Sequence, residues 1–170
     1  TEFSENRIVF GVSKLKAVSY KVEHLQQNIA DNEYTKFEEE DKAGVAGTYT
    51  QAVAKAYEGF TSKSFNQEKI NANGSTVVKI YYDRNEITLT LDLAGGSTTT
   101  ETTDVGNGKV SLTGKFGANV KVENLTKSNH TFVKWNPELP TTFPATNPTQ
   151  VYTAEWKKDD EVSYKVEHLQ

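Results

Sequence analysis

Hydrophobic and polar residues alternate along two stretches of the chain, and each alternation predicts a half-buried β-strand. In VSYKVEH, from Val18 to His24, the residues at even-numbered positions are mostly apolar and those at odd-numbered positions are polar. In EITLTLDL, from Glu86 to Leu93, isoleucine and leucine alternate with threonine and aspartate until Gly95 and Gly96 end the pattern. We expect each stretch to form one strand with one face in a core.

Two further strands are predicted at Val77–Tyr82 (VVKIYY) and Val151–Trp156 (VYTAEW), because β-branched and aromatic residues favour strands. Between the strands, the alanine-rich segment Thr50–Tyr57 (TQAVAKAY) predicts two helical turns. The segment 117–127 (GANVKVENLTK) is ambiguous, and its β-branched residues favour a strand. The four prolines, all between positions 137 and 148, predict an irregular loop.

Nine residues, VSYKVEHLQ, occur at Val18–Gln26 and again at Val162–Gln170. The offset is 162 minus 18, or 144 residues, which is longer than the period of about 20 to 50 residues in solenoid repeats. We interpret the chain as one repeat of a tandem array. The predicted divisions are a tail of a preceding segment (1–17), two modules (18–85 and 86–161) and the first strand of the next repeat (162–170).

The linkers between these modules are short. DRNE (83–86) joins the first module to the second, and KKDDE (157–161) leads to the next repeat. Short linkers leave little freedom between modules, so we expect a stiff rod rather than a flexible string.

Composition excludes several classes of function. The net charge is -4, with no stripe of basic residues, which argues against nucleic acid as a partner. The chain has no cysteine, which excludes thiol catalysis, disulfides and cysteine-based zinc sites, and no methionine. No apolar run is long enough for a membrane-spanning helix, so membrane insertion is not expected. The absence of oxidisable side chains suits an extracellular protein.

Few residues have the spacing of a chemical site. His24 and His168 occupy the same position in successive repeats, and His130 lies apart from both; all three are expected to be structural, since no metal-binding motif is present. The acidic run FEEEDK (37–42) lacks the spacing of a calcium loop and is interpreted as a solvated strand or hairpin face. We predict no catalytic, cofactor-binding or metal-binding residues, and no enzyme. A lysine–asparagine isopeptide bond beside a buried acid stays open as an alternative.

The aromatic residues allow two interpretations. Core packing is favoured, since small modules without disulfides need large side chains, and a sugar-stacking platform is the alternative. Tyr81 has the opposite parity to Val78, Ile80 and Tyr82 and is therefore the exception. The residues concerned are Trp135, Trp156, Tyr81, Tyr82, Phe132 and Phe143.

The motifs of the second module resemble the Listeria–Bacteroides repeat, also called the internalin B-repeat. The resemblance covers Ile87 to Lys157: the strand ITLTLDLAGG, Gly117, the aromatic element HTFVKW and the closing strand VYTAEWK. Ser128, Asn129 and His130 stand where that family usually has a glycine. The first module, through YKVEHLQQN, YEGF and VVKIYYDRN, resembles mucin-binding-type repeats. These resemblances imply an α+β, mostly β fold of two β-grasp-like modules in tandem, each with at most one short helix.

They also imply a protein of the bacterial cell surface, without cofactors. The expected function is that of a non-catalytic rigid stalk or spacer that can also take part in adhesion. Its expected partners are neighbouring repeats of the same chain. The alternative is an adhesion module that binds a host glycan or host surface protein through avidity.

Overall fold

The computed structural model describes residues 14–170, and the predicted tail at 1–17 lies largely outside them. Within the described residues there are nine strands and no helix, so the prediction of a mostly β fold is confirmed. The strands are β1 (Ala17–Gln27), β2 (Tyr34–Val45), β3 (Phe60–Ser62), β4 (Val77–Arg84), β5 (Glu86–Asp92), β6 (Thr103–Gly106), β7 (Lys109–Lys115), β8 (His130–Asn136) and β9 (Val151–Lys158). The four predicted strands lie within β1, β4, β5 and β9.

The predicted helix at Thr50–Tyr57 is wrong, because side chains satisfy its backbone in an extended path. The amide of Gln67 accepts a hydrogen bond from the Ala52 N–H (2.8 Å) and donates one to the Ala52 carbonyl (2.8 Å). The Lys55 N–H donates to the hydroxyl of Tyr82 (2.9 Å). These bonds replace the i to i−4 ladder that a helix would need.

The strand interpretation of 117–127 is also wrong, since this segment is irregular apart from isolated bridges at Asn119, Thr126 and Lys127. Its Val120 and Val122 are half-buried against the second core instead of pairing in the sheet. The proline-rich segment forms the predicted irregular loop, and its Phe143 is buried in that core.

The strands form two mixed sheets with a shared plan. The first has the order β2-β1-β4-β3, and the second has the order β6-β7-β5-β9-β8. In each sheet two central strands run parallel, β1 with β4 and β5 with β9, and the other pairs are antiparallel. Apart from the edge strand β6, the two orders are equivalent, with β5, β7, β8 and β9 in the places of β1, β2, β3 and β4.

Each sheet has its own hydrophobic core. The first contains Tyr20, Val22, Ala52, Ile70, Val78, Ile80 and Tyr82. The second contains Ile87, Leu89, Leu91, Leu112, Phe143 and Tyr152. The alternating residues of the predicted strands supply most of both cores, as the period of two requires. Within residues 14–170 no helix is long and apolar enough to cross a membrane.

A glycine corner of the same spacing follows the hairpin of each sheet. Gly47 follows β2 with φ 83°, and Gly117 follows β7 with φ 80°, a region that favours glycine. The Gly47 N–H donates to the Ile70 carbonyl (2.8 Å), and the Gly117 N–H donates to the Phe143 carbonyl (2.9 Å). The two corners are therefore equivalent, with Lys115 matching Val45.

A second glycine lies three residues before each corner glycine. It packs against the side chain of the residue whose carbonyl accepts the hydrogen bond from the corner glycine. A Cβ on Gly44 would lie 2.5 Å from the Cδ1 of Ile70, and a Cβ on Gly114 would lie 2.2 Å from the ring of Phe143. The end of an isoleucine side chain can rotate away, whereas the buried ring of Phe143 has no free space beside it.

We therefore expect Gly114→Ala to destabilise the second sheet by about 1–3 kcal/mol through overpacking, and Gly44→Ala to destabilise the first sheet less. Both tryptophans, Trp135 and Trp156, lie in the second sheet, so tryptophan fluorescence during urea unfolding reports on that sheet. Far-UV circular dichroism reports on both. An unchanged fluorescence midpoint in Gly114→Ala would contradict the packing described.

Candidate functional site: the joint between the two sheets

One residue, Asn85, links the last strand of the first sheet to the first strand of the second. Its N–H donates to the Gly59 carbonyl (2.9 Å), and its carbonyl accepts from the Phe116 N–H (2.9 Å). Its side-chain oxygen accepts from the hydroxyl of Thr61 (2.7 Å). The linker is thus hydrogen-bonded to both sheets, which removes most of the freedom that one connecting residue would have. We call Gly59, Phe60, Arg84, Asn85 and Phe116 the joint.

Arg84 connects backbone groups of both sheets across the joint. Its Nε donates to the Gln27 carbonyl (2.6 Å), and its Nη1 donates to the Phe116 carbonyl (3.0 Å). Its guanidinium carbon also lies 4.9 Å from the centre of the Phe60 ring, within the range of a cation–π contact. Among residues 14–170, no carboxylate lies within 4.0 Å of this guanidinium.

The charge of Arg84 is therefore balanced by carbonyl dipoles and a ring face. Partial burial lowers the pKa of Arg84 from its ordinary value, because burial penalises the charged form. Arginine stays protonated in proteins, so the charge persists at neutral pH. A hydrogen bond from a charged group contributes about 1.5–3 kcal/mol, which makes Arg84 a substantial contact between the sheets.

Two phenylalanine rings, one from each sheet, pack against each other beside Arg84. The rings of Phe60 and Phe116 meet edge to face, with centroids 5.7 Å apart and an interplanar angle of 84°. A Cβ on Gly59 would lie 2.1 Å from the Phe116 ring, and Gly59 has φ 77°. Both the contact and the backbone conformation therefore require glycine at this position. An aromatic pair of this geometry contributes about 0.5–1.5 kcal/mol beyond its buried area.

Lys115 and Asn32 add a side-chain contact at the rim of the joint, where the Lys115 ammonium donates to the Asn32 amide oxygen. Asn32 is exposed and Lys115 half-buried. The contact therefore lacks the buried acid setting of the isopeptide bond that the sequence left open as an alternative, and we interpret it as a hydrogen bond.

His24 lies on the apolar face of β1, as the alternation predicted, and its side chain is fully buried. Tyr82 accepts a hydrogen bond from the Lys55 N–H and lies 2.7 Å from the Nδ1 of His24. The Tyr82 proton is then free to donate to Nδ1, which leaves the Nε2 proton to donate to Glu40 (3.1 Å). Both ring nitrogens of His24 therefore have a hydrogen-bond partner.

The buried histidine belongs to a polar network at the edge of the first core. Hydrogen bonds from His24 and then Lys55 hold the pKa of Glu40 below its usual value. Hydrogen bonds from Lys55 and then Tyr57 do the same for the pKa of Glu38. Burial, and secondly the bond to Glu38, raises the pKa of Tyr57. Every member of this network has a partner, so it is a structural element.

The other chemical candidates lie apart from this network. His130 is half-buried at the start of β8, with its Nδ1 2.7 Å from the Ser128 carbonyl, and His168 is exposed. The acidic run 37–42 lies in β2, where Lys21 and then Lys36 lower the pKa of Glu39 to about 2. Among the described residues, no three metal-binding side chains come together.

The aromatic residues divide between core and surface. Tyr82 and Phe143 are buried, and Trp156 donates from its indole to the Leu93 carbonyl (2.9 Å). Phe132 and Trp135, with centroids 5.7 Å apart, line an open cleft of about 500 Å³ together with Lys134, Glu138 and Leu139. Tyr81 is exposed on the face of β4 opposite to the buried Tyr82, and its ring meets the Tyr34 ring edge to face, with the ring centroids 5.0 Å apart. The six residues therefore do not form a single platform.

The sequence reasoning missed the joint. Its residues are separated by up to 57 positions, and Gly59, Arg84 and Phe116 each belong to motifs of ordinary appearance. The available signal was the short linker DRNE (83–86) between the two predicted strands. No protein-family model matches the sequence, and no curated protein matches it. The resemblance to the Listeria–Bacteroides and mucin-binding-type repeats therefore stays a prediction.

We expect Phe116→Ala to loosen the joint, because it removes the ring that packs on Gly59 and Phe60. Hydrogen exchange at the amides of Asn85 and residue 116 should accelerate about tenfold, which corresponds to about 1.4 kcal/mol. Phe65→Ala is the matched control, since Phe65 is also a half-buried phenylalanine that packs on the first core but does not belong to the joint.

The control should leave exchange at those two amides unchanged relative to the rest of the first sheet. Equal acceleration in both variants would indicate general destabilisation and would contradict a specific role of Phe116 in the joint.

Proposed function

We propose that the chain is one repeat of a bacterial cell-surface protein and acts as a rigid spacer that holds other parts of the protein away from the cell. The observation that carries the proposal is the joint, in which a single linker residue is hydrogen-bonded on both sides and Arg84 binds carbonyls of both sheets. A mechanical element needs such coupling between its parts. The shared strand order of the two sheets supports two modules of the β-grasp type in tandem.

The repeat of VSYKVEHLQ supports a tandem array, because its two copies have different surroundings. In the first copy Tyr20, Val22 and His24 are buried in β1. In the second copy the equivalent Tyr164, Val166 and His168 are exposed and outside any strand. The same sequence would gain a core if β2, β3 and β4 of another copy followed it. The partners proposed are therefore neighbouring repeats.

The test is small-angle X-ray scattering on this chain and on a chain of two joined repeats, 170 plus 144 residues. A compact particle of that size has a radius of gyration of about 20 Å, whereas modules arranged end to end exceed about 25 Å. We expect the larger value, and an increase that continues with a third repeat. A radius near 20 Å for two repeats would contradict the spacer function.

A binding module is the second candidate, and one observation favours it. The cleft of Phe132 and Trp135 lies on β8, an edge strand, and combines two aromatic rings with the charged Lys134 and Glu138. Aromatic faces with flanking charges suit the apolar faces and hydroxyls of a sugar. Repetition would raise a weak affinity through avidity.

For this second function we expect multimers of the repeat to bind a glycan array, and Trp135→Ala to reduce the signal more than tenfold. Phe37→Ala is the control, because Phe37 is an exposed aromatic residue of the first sheet, outside the cleft. If the multimers bind no glycan on the array, or if both variants bind equally well, the cleft is not a glycan-binding site.

A further inference from the structure

The far end of the second sheet has the same backbone construction as the joint. Phe60 pairs with Arg84 at the end of the first sheet, and His130 pairs with Lys158 at the end of the second. The Asn85 N–H donates to the Gly59 carbonyl at 2.9 Å.

In the same way, the Asp159 N–H donates to the Asn129 carbonyl at 2.9 Å. The side chains repeat the pattern, since Thr61 donates to the Asn85 side chain and Thr131 to the Asp159 side chain, both at 2.7 Å. We call Asn129, His130, Lys158 and Asp159 the distal end.

The residues that make the joint tight are replaced at the distal end. Asn129, with φ 56°, stands in the place of Gly59. A Cβ at Gly59 would lie 2.1 Å from the Phe116 ring, so a ring cannot pack on Asn129 in the same way. His130 takes the place of Phe60.

Lys158 takes the place of Arg84. A lysine ammonium is a single point charge and lacks the planar fork with which Arg84 reaches two separate carbonyls. The distal end therefore lacks both a guanidinium like that of Arg84, which bonds to carbonyls of two sheets, and the packed pair of phenylalanine rings.

In a following repeat, the surface that would contact the distal end also differs from the surface around Phe116 in the joint. The equivalence of the two glycine corners, with Gly47 matching Gly117 and Val45 matching Lys115, places Ala46 in the position of Phe116. A following repeat would thus offer a methyl group where the joint has a phenyl ring.

The linker at the distal end is one residue longer. Ala17, the first residue of β1, corresponds to Glu161 through the 144-residue offset, so Asp159 and Asp160 separate β9 from the next strand. Asn85 alone occupies this place in the joint. An added linker residue without hydrogen bonds to both neighbouring sheets adds its own backbone conformational freedom to the linker.

We infer that the array is articulated: the two sheets of one repeat form a rigid body, and a hinge at the distal end separates it from the Ala46–Gly47 corner of a second copy. This inference rests on the proposed tandem array, but it replaces the uniformly stiff rod that short linkers predicted. Each of the differences (glycine to asparagine, phenylalanine to histidine, arginine to lysine, phenylalanine to alanine, and the longer linker) acts in the same direction. The bending points would therefore recur every 144 residues.

The test uses electron–electron double resonance on a chain of two joined repeats, which has no native cysteine to interfere with labelling. Spin labels are attached at Lys79→Cys and Lys134→Cys, two exposed lysines on different sheets. One sample has both labels in the first repeat and spans the joint. The other has Lys134→Cys in the first repeat and Lys79→Cys in the second, and it spans the distal end.

We expect a narrow distance distribution across the joint and one at least twice as broad across the distal end. Equal narrow distributions would overturn the hinge and leave the rigid spacer intact. Equal broad distributions would instead overturn the rigid joint on which the spacer function rests, so the two failures are distinguishable. Far-UV circular dichroism of each labelled chain controls for folding.

A restored joint provides the second arm. In the first repeat Asn129→Gly, His130→Phe, Lys158→Arg and deletion of Asp160 are combined with Ala46→Phe in the second repeat. The broad distribution across the distal end should narrow to the width found across the joint. A distribution that stays broad in the folded variant would overturn the assignment of the hinge to these residues.

Discussion

The relative position of the two sheets depends on Arg84, a half-buried arginine whose charge is stabilised by groups of both sheets. Arg84 has its charge distributed over the Gln27 and Phe116 carbonyls and the Phe60 ring, without a carboxylate partner within 4.0 Å among the described residues. Moving the sheets apart would leave this guanidinium with one carbonyl fewer and the Phe116 carbonyl without its donor. Because an unpaired buried polar group costs about 1–3 kcal/mol, the contact holds the relative position of the sheets. The rest of the joint packs around that constraint.

The two sheets achieve the same corner with different side chains. Each needs a glycine with positive φ after the hairpin, and each needs a second glycine three residues earlier under a buried apolar residue, Ile70 or Phe143. The residue directly before the positive-φ glycine differs, since it is Phe116 in the second sheet and Ala46 in the first. In the second sheet the Phe116 ring makes the contact with Gly59 and Phe60 of the preceding sheet.

The sequence predicted the strands that alternate and the position of His24, because a period of two assigns each residue to a face. It failed at Thr50–Tyr57, where alanines favour a helix but the Gln67 side chain and the Tyr82 hydroxyl satisfy an extended backbone. It also failed to find the joint, since contacts between Gly59 and Phe116 depend on how distant segments pack. The acidic run was correctly placed on a strand, yet its link to buried His24 through Glu40 was not foreseeable.

The central claim is that the two sheets of the chain form one rigid body through the joint. Residual dipolar couplings of the backbone amides, measured on this chain in a weakly aligning medium, test it most directly. We expect the couplings from β1–β4 and from β5–β9 to fit one alignment tensor with a common magnitude and orientation. Two tensors of different magnitude, one for each sheet, would show that the sheets move independently and that the joint is not rigid.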